Sequence, residues 1–266
     1  MPYHSSKATP GRYALDFETV SIPASTGKKL HGWYIPSGST SKKPAIIVMH
    51  GWGGNATSLL TFAPVLHDSG LNILYLDASN HGKSDRNGHS NMLQFSQDIN
   101  DGIDWLSQHP DVNPDMIFSM GHSNAASGSL LLASKRNIRG IIAISAFSHS
   151  KRFIKQWIKS NTHIPYWPIG WLVVQYMQLR LGCSYNDIAP INTINNISSP
   201  VLFVHGDKDE LATIDDIQSV MDNANAAPVE ILKVNNASHD SIRIFRTKAC
   251  DRIINFIHQH TSDAPS

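Results

Sequence analysis

The stretch Gly121-His122-Ser123-Asn124-Ala125 holds a serine between small residues, at a place where a side chain could attack a substrate. Before it, residues 116–120 form an apolar run of strand length. After it, residues 126–136 are rich in Ala, Leu and Ser and read as a helix. A buried strand, a tight turn and a helix in immediate succession lift a serine hydroxyl above a sheet edge. The free N–H groups of the new helix point at the same spot. Gly121 and Ala125 let strand and helix approach closely. Ala125 stands where such turns usually carry glycine and adds one methyl, a tolerated variant. The implied chemistry is nucleophilic attack on an acyl carbonyl, which needs a base, an acid to orient that base, and donors for the developing oxyanion.

Each requirement has a candidate after an apolar run. His50-Gly51-Trp52-Gly53-Gly54 follows the run 45–49, and a glycine-rich turn there presents backbone N–H groups; Trp52 and Asn124 are assigned as the oxyanion donors. His50 reads as a brace for that loop. The run 200–205 leads into Gly206-Asp207-Lys208-Asp209, where spacing alone leaves both Asp207 and Asp209 open as the acid. The run 229–234 leads into Asn235-Asn236-Ala237-Ser238-His239-Asp240. Among 14 histidines, His239 is singled out by order: serine, acid, histidine, each at its own strand end.

The elements that must hold these residues follow from patterning. Residues 13–23 and 29–36 alternate apolar and polar around Ser25-Thr26-Gly27, an antiparallel hairpin at a sheet edge. The runs 45–49, 72–77, 116–120, 140–145, 200–205 and 229–234 are strands. Helical stripes at 57–69, 91–109, 213–223 and 241–260 alternate with them, which predicts parallel pairing. Residues 1–12 read as a loose polar arm. Residues 146–199 break the rhythm with helical patterns only, at 151–160 and 170–181, and read as a cap over the strand ends.

Composition narrows the partners. A chain of 266 residues that is 41% hydrophobic can bury one large core. A net charge of +1 points to no nucleic acid. Two cysteines, Cys183 and Cys250, give neither metal spacing nor a disulfide framework and fit a reducing compartment. Residues 1–12 lack the apolar core of a secretion signal, and no run is long enough to span a bilayer, so a cytoplasmic location is expected. Asn80-His81 and His258-Gln259-His260 lack ligand spacing; neither metal nor cofactor is expected.

Five motifs in order resemble the α/β-hydrolase-fold serine hydrolases, in the branch of bacterial esterases, lysophospholipase-like hydrolases and serine aminopeptidase-like proteins. They are HGWGGN from His50, DASNHGKSD from Asp77, GHSNA from Gly121, HGDKD from His205 and ASHD from Ala237. The resemblance implies an α/β-hydrolase fold in one domain over 1–266: a mostly parallel eight-stranded sheet, helices on both faces and a small helical cap at 146–199. It implies Ser123 as nucleophile, Asp209 rather than Asp207 as acid, and His239 as base. Trp52 and Asn124 fall at the family's oxyanion positions, and Asp77 and Ser84 at structural ones. Ala78-Ser79-Asn80 departs from the family's usual Arg-Gly, which bears on loop bracing.

The implied reaction is hydrolysis of a small-molecule carboxylic ester through an acyl-enzyme. Thioester or peptide cleavage on the same triad, or slow-turnover ligand sensing, are the alternatives. Between Asp115 and Asp187 the chain has no acidic residue but carries Lys135, Arg136, Arg139, Lys151, Arg152, Lys155, Lys159 and Arg180. Trp157, Trp167, Trp171 and Tyr176 lie in the same interval and are candidate substrate-binding residues. The basic face is a candidate for anionic substrates or a membrane surface.

Overall fold

The computed structural model describes residues 8–163 and 165–262, so the first part of the predicted arm, residues 1–7, lies outside the described residues. Eight strands form a single sheet in the order β1-β2-β4-β3-β5-β6-β7-β8. They are β1 Glu18–Pro23, β2 Lys29–Ile35, β3 Lys43–Met49, β4 Asn72–Leu76, β5 Val112–His122, β6 Gly140–Ile144, β7 Val201–Gly206 and β8 Val229–Val234. The hairpin β1–β2 and the β2–β4 pair are antiparallel, and every later pairing is parallel.

Strand alternation builds two cores from one sheet. On β3, Ala45, Ile47 and Met49 point to one face while Ile46 and Val48 point to the other. The first face is covered by α2 (Met92–Gln108) and α3 (Asn124–Ala133), which contribute Phe95, Ile99, Ile103 and Leu130. The second is covered by the 3₁₀ stretch Ala56–Phe62, by α1 (Ala63–Asp68) and by α9 (Ile242–Ser262), through Leu59, Phe62, Phe245, Ile253 and Phe256. Both faces are dry, so the central parallel strands read as continuous apolar runs.

Some element boundaries differ from the pattern. Residues 13–17 are not strand; Pro10–Tyr13 makes a 3₁₀ turn that ends at Ala14, whose φ is 55°. The helix expected over 57–69 is split at Ala63. Pro64 lacks the N–H an interior helical position must donate, so it begins a new helix instead.

Between β6 and β7 lie α4 (Ser150–Asn161), the π turn Tyr166–Gly170, α5 (Trp171–Leu181), α6 (Tyr185–Ile188) and α7 (Pro190–Thr193). Ile158, Val174, Tyr185 and Ile188 form a separate apolar cluster with Met92, Leu131 and Phe147 of the main body. Ile194 and Ile197 rejoin the sheet core, so the excursion over the strand ends runs from Ser150 to Ile188. The last helix pair is α8 (Ile214–Met221), capped by Thr213 and Asp216, and α9.

Candidate active site

The serine sits at a strained turn. Ser123 has φ 55° and ψ −114°, between the end of β5 and the first residue of α3. A non-glycine residue there costs on the order of 1–3 kcal/mol, which the surroundings must supply. Its N–H donates to the Ile144 carbonyl at 2.9 Å, and its own carbonyl accepts from Ser127 at 3.0 Å. The close approach falls on Gly121, where a Cβ would lie 2.5 Å from backbone atoms of Ala125 and Ala126. Ala125 is fully buried among the core residues. Its methyl therefore fits where the motif usually has glycine, and the turn's need for a missing side chain is met at Gly121.

The histidine and the acid arrive from two adjacent loops. His239 Nδ1 lies 2.8 Å from Asp209 Oδ2, and Nε2 lies 2.9 Å from Ser123 Oγ. With Asp209 ionised, Nδ1 carries the proton and donates to the carboxylate, which leaves Nε2 to accept from the serine hydroxyl. Asp209 Oδ1 accepts the amides of Leu211 and Ala212 at 3.1 and 2.9 Å. Burial works to raise the Asp209 pKa. The hydrogen bond and charge attraction of His239, with the Ala212 amide, outweigh it and hold the carboxyl below its ordinary range. His205 donates to the Ala212 carbonyl at 2.6 Å and lies 3.5 Å from Asp209. Asp207, the other candidate acid, is exposed and turns away; its Oδ1 accepts the Asn236 amide at 2.7 Å and so pins the loop that carries His239.

The glycine-rich loop after β3 runs beside the serine. A Cβ on Gly51 would lie 3.1 Å from Ser123 Cβ. Trp52 follows Gly51 in this loop, and the Asn124 N–H opens α3. Two imidazoles brace the loop. His81 accepts the Gly53 N–H at 3.1 Å and directs its other nitrogen to the Ser79 carbonyl at 2.9 Å. His50 accepts the Ala78 N–H at 3.1 Å and directs its Nδ1 to the Gly51 carbonyl at 2.7 Å. Asp77 ties the next loop down by accepting from Ala56, Lys83 and His31. Ser79 donates twice to Asp98, at 2.7 and 2.9 Å.

Pattern reading missed several of these contacts. His122 Nε2 lies 2.9 Å from the His239 carbonyl, so the residue before the serine holds the loop that bears the histidine. Its place inside the serine motif was the only signal. Asp98 had none, because an acid on an amphipathic helix reads as solvated.

These buried groups make stability depend on pH. Burial, more than any neighbouring charge, pulls the His50 and His122 pKa values down from 6.5 to about 4. Below pH 6.5 the unfolded chain therefore takes up protons that the folded chain refuses. Each histidine then costs stability as the pH falls, until the folded imidazole titrates near 4. Asp98 opposes this: burial raises its pKa from 3.8 to about 6, so the folded state binds the extra proton as pH falls through that window. Two histidines outweigh one carboxyl, and the urea midpoint is expected to fall between pH 7 and pH 5. An unchanged midpoint would mean that both imidazoles charge within the folded protein.

Next to the serine, with Asn124 in its lining, lies a cavity of about 350 Å³ bounded by α4 and α5. Phe153, Ile154, Trp157 and Ile158 of α4 and Val173, Met177 and Leu181 of α5 line it, with Trp52, Asn124, Ser90 and Asn91 among the rest. Trp157 thus faces the cavity and packs edge-on against Trp52, ring centroids 6.1 Å apart. The other three aromatic candidates do not line it: Trp167, Trp171 and Tyr176 stand on the outside of the cap, 69%, 38% and 57% exposed. The physical reason is that α5 has no polar stripe. Nothing local in its sequence indicates that Val173, Met177 and Leu181 are the inward face. His122, His239 and Asp240 bring ligand atoms within 4.8 Å of one another. Both imidazoles are already committed, however, His239 to Ser123 and His122 to a carbonyl.

Comparison with known proteins agrees with this architecture. Residues 40–187 match the family model described as serine aminopeptidase, S33. An uncharacterized protein of Mycobacterium tuberculosis (strain CDC 1551 / Oshkosh) is 26% identical over 192 residues, 72% of this chain but only 62% of the relative's length. The esterase Pf2001 of Pyrococcus furiosus superposes with a TM-score of 0.80 at 22% identity, covering 97% of this chain and 96% of its own. Est1E of Butyrivibrio proteoclasticus superposes at 0.70 with 17% identity, covering 92% and 99%. At such identities the two structures speak for the fold alone.

Proposed function

This chain belongs to the α/β-hydrolase family whose model is described as serine aminopeptidase, S33, and on that premise we propose that it hydrolyses carboxylic esters through an acyl-enzyme on Ser123. The observation that carries the proposal is the unbroken hydrogen-bond chain Asp209–His239–Ser123 beside an apolar cavity. Ser123 Oγ attacks the ester carbonyl while His239 Nε2 takes its proton. Asp209 stabilises the imidazolium that forms. The oxyanion is received by the amides of Trp52, in the loop after β3, and of Asn124, at the start of α3. His239 then gives its proton to the departing alcohol, and a water activated by the same imidazole releases the acid.

The lining argues for an ester over a peptide with a free amino terminus. No Asp or Glu is among the residues that line the cavity, so nothing there would pair with an α-ammonium group, whose desolvation would go uncompensated. The volume lies at the low end of the range for small-molecule sites, about 300–1,000 Å³. It suits a short or medium acyl chain.

A panel of p-nitrophenyl esters from acetate to palmitate, run beside acyl-CoAs and aminoacyl anilides, tests the proposal. kcat/KM is expected to peak among the short and medium esters. Preferential turnover of acyl-CoA would make the protein a thioesterase, and preferential turnover of anilides a peptidase. Rapid fluorophosphonate labelling with no turnover on any arm would make it a sensor.

A further inference from the structure

Among the described residues, the large apolar side chains left exposed are concentrated in one place. Apart from Tyr13 and Trp52, all of them fall between Trp167 and Leu179. Leu179 is 78% exposed, Trp167 69% and Leu172 55%. In α5 only Val174 is buried, although Arg180 is the sole charged residue of the helix. A helix this apolar is ordinarily covered on most sides.

Two further observations say what covers it. First, cations sit on aromatic groups in and beside the patch: Lys155 Nζ lies 4.8 Å over the ring of half-buried Tyr166, which adjoins it, and Arg180 donates to the Tyr176 hydroxyl at 3.3 Å. Lys151 and Lys159 are exposed on the adjoining α4, and no acidic residue occurs between Asp115 and Asp187 to answer them. A second copy laid on this face would meet the same cations with no acidic complement from its own cap. Second, the patch adjoins the cavity, because Val173 and Met177 are both exposed and part of its lining.

We propose that the outer face of the cap, α5 with the turn before it, docks on an anionic lipid surface. Trp167, Leu172 and Leu179 enter the boundary between headgroups and acyl chains, and Lys155, Lys159 and Arg180 meet lipid phosphates. Aromatic and aliphatic side chains rimmed by lysine and arginine suit that boundary. Docked this way, the cavity opens toward the lipid, and an acyl chain passes from one apolar phase to the other. This last step rests on the esterase reading; the docking does not.

Co-sedimentation of the full chain with vesicles tests it. Vesicles of phosphatidylcholine with roughly 30% phosphatidylserine are expected to bind at least about tenfold more tightly than phosphatidylcholine alone, with the difference lost in high salt. The double variant Leu172→Glu/Leu179→Glu is expected to abolish binding and leave kcat/KM on a soluble ester unchanged, since neither residue lines the cavity. Ser123→Ala is expected to bind like the parent, which separates docking from catalysis. Absence of binding to anionic vesicles would overturn the proposal. So would a concentration-dependent dimer that the double variant dissolves, for then a second copy covers the face.

Discussion

Replacing Ser123 with alanine is expected to lower kcat on the best ester by at least about 10⁴-fold and to abolish fluorophosphonate labelling, with the urea midpoint nearly unchanged. The expectation follows from what the hydroxyl does and does not support. Its oxygen contacts His239 Nε2 at 2.9 Å, while the turn is held by backbone bonds to Ile144 and from Ser127 that alanine keeps. Alanine also inherits the positive φ of 55° at no greater strain than serine. Activity and stability should therefore separate cleanly. Residual catalysis within tenfold of the parent would mean that another nucleophile works in this cleft. A large fall in the midpoint would mean that the Ser123–His239 bond holds the loops together, and the loss of rate would then say little about chemistry.

Gly206→Ala is expected to have a large effect although the residue is not one of Ser123, Asp209 and His239. Gly206 ends β7 and pairs with Val234 at the end of β8, so the loops carrying Asp209 and His239 part from this point. A Cβ on Gly206 would fall inside the Ala237 carbonyl group, 2.7 Å from its carbon, with the carbonyl oxygen nearer still. That carbonyl already accepts the Lys208 N–H at 3.0 Å, so neither loop can retreat without giving up a bond. The added methyl has to push Ala237 away from β7, and His239 moves with it. A shift near 1 Å in a catalytic group costs on the order of 10²-fold in rate, and overpacking of this kind costs about 1–3 kcal/mol. The measurements are kcat on a soluble ester and the urea midpoint. An unchanged kcat would show that Asp209 and His239 keep their 2.8 Å contact with the two loops forced apart.

The histidines divide by the bonds they make. Of the imidazoles in and around the cleft, His239 alone bonds both a carboxylate and the serine. His50 and His81 accept backbone N–H groups and brace the glycine-rich loop, which requires them to be neutral. Burial lowers the pKa of both, to about 4 for His50, and so favours that state. The departure at Ala78-Ser79-Asn80 is absorbed in the same region. Ser79 bonds Asp98, and Asn80 takes a φ of 68° and exchanges hydrogen bonds with Asn87. The loop is braced here by local polar groups.

What the amino-acid order determined by itself was the succession of elements and the residues at their ends. Apolar runs of five or six residues alternating with helical stripes leave few foldings besides a parallel sheet covered on both faces, because each period buries its own side. Ser123 and His239 could be singled out because each follows such a run, whereas order left Asp207 and Asp209 both open and only the family resemblance preferred Asp209. What needed the tertiary structure was direction. Asp207 and Asp209 stand two residues apart in one loop, and only the packed loop turns one toward His239 and the other toward Asn236. α5 carries no polar stripe, so its inward face was decided by what α4 and the sheet end offered it. Trp157 therefore lines the cavity while Trp167, Trp171 and Tyr176 face outward. Periodicity is a property of neighbours along the chain. Which way a loop carboxylate or a nearly apolar helix turns is a property of neighbours in space.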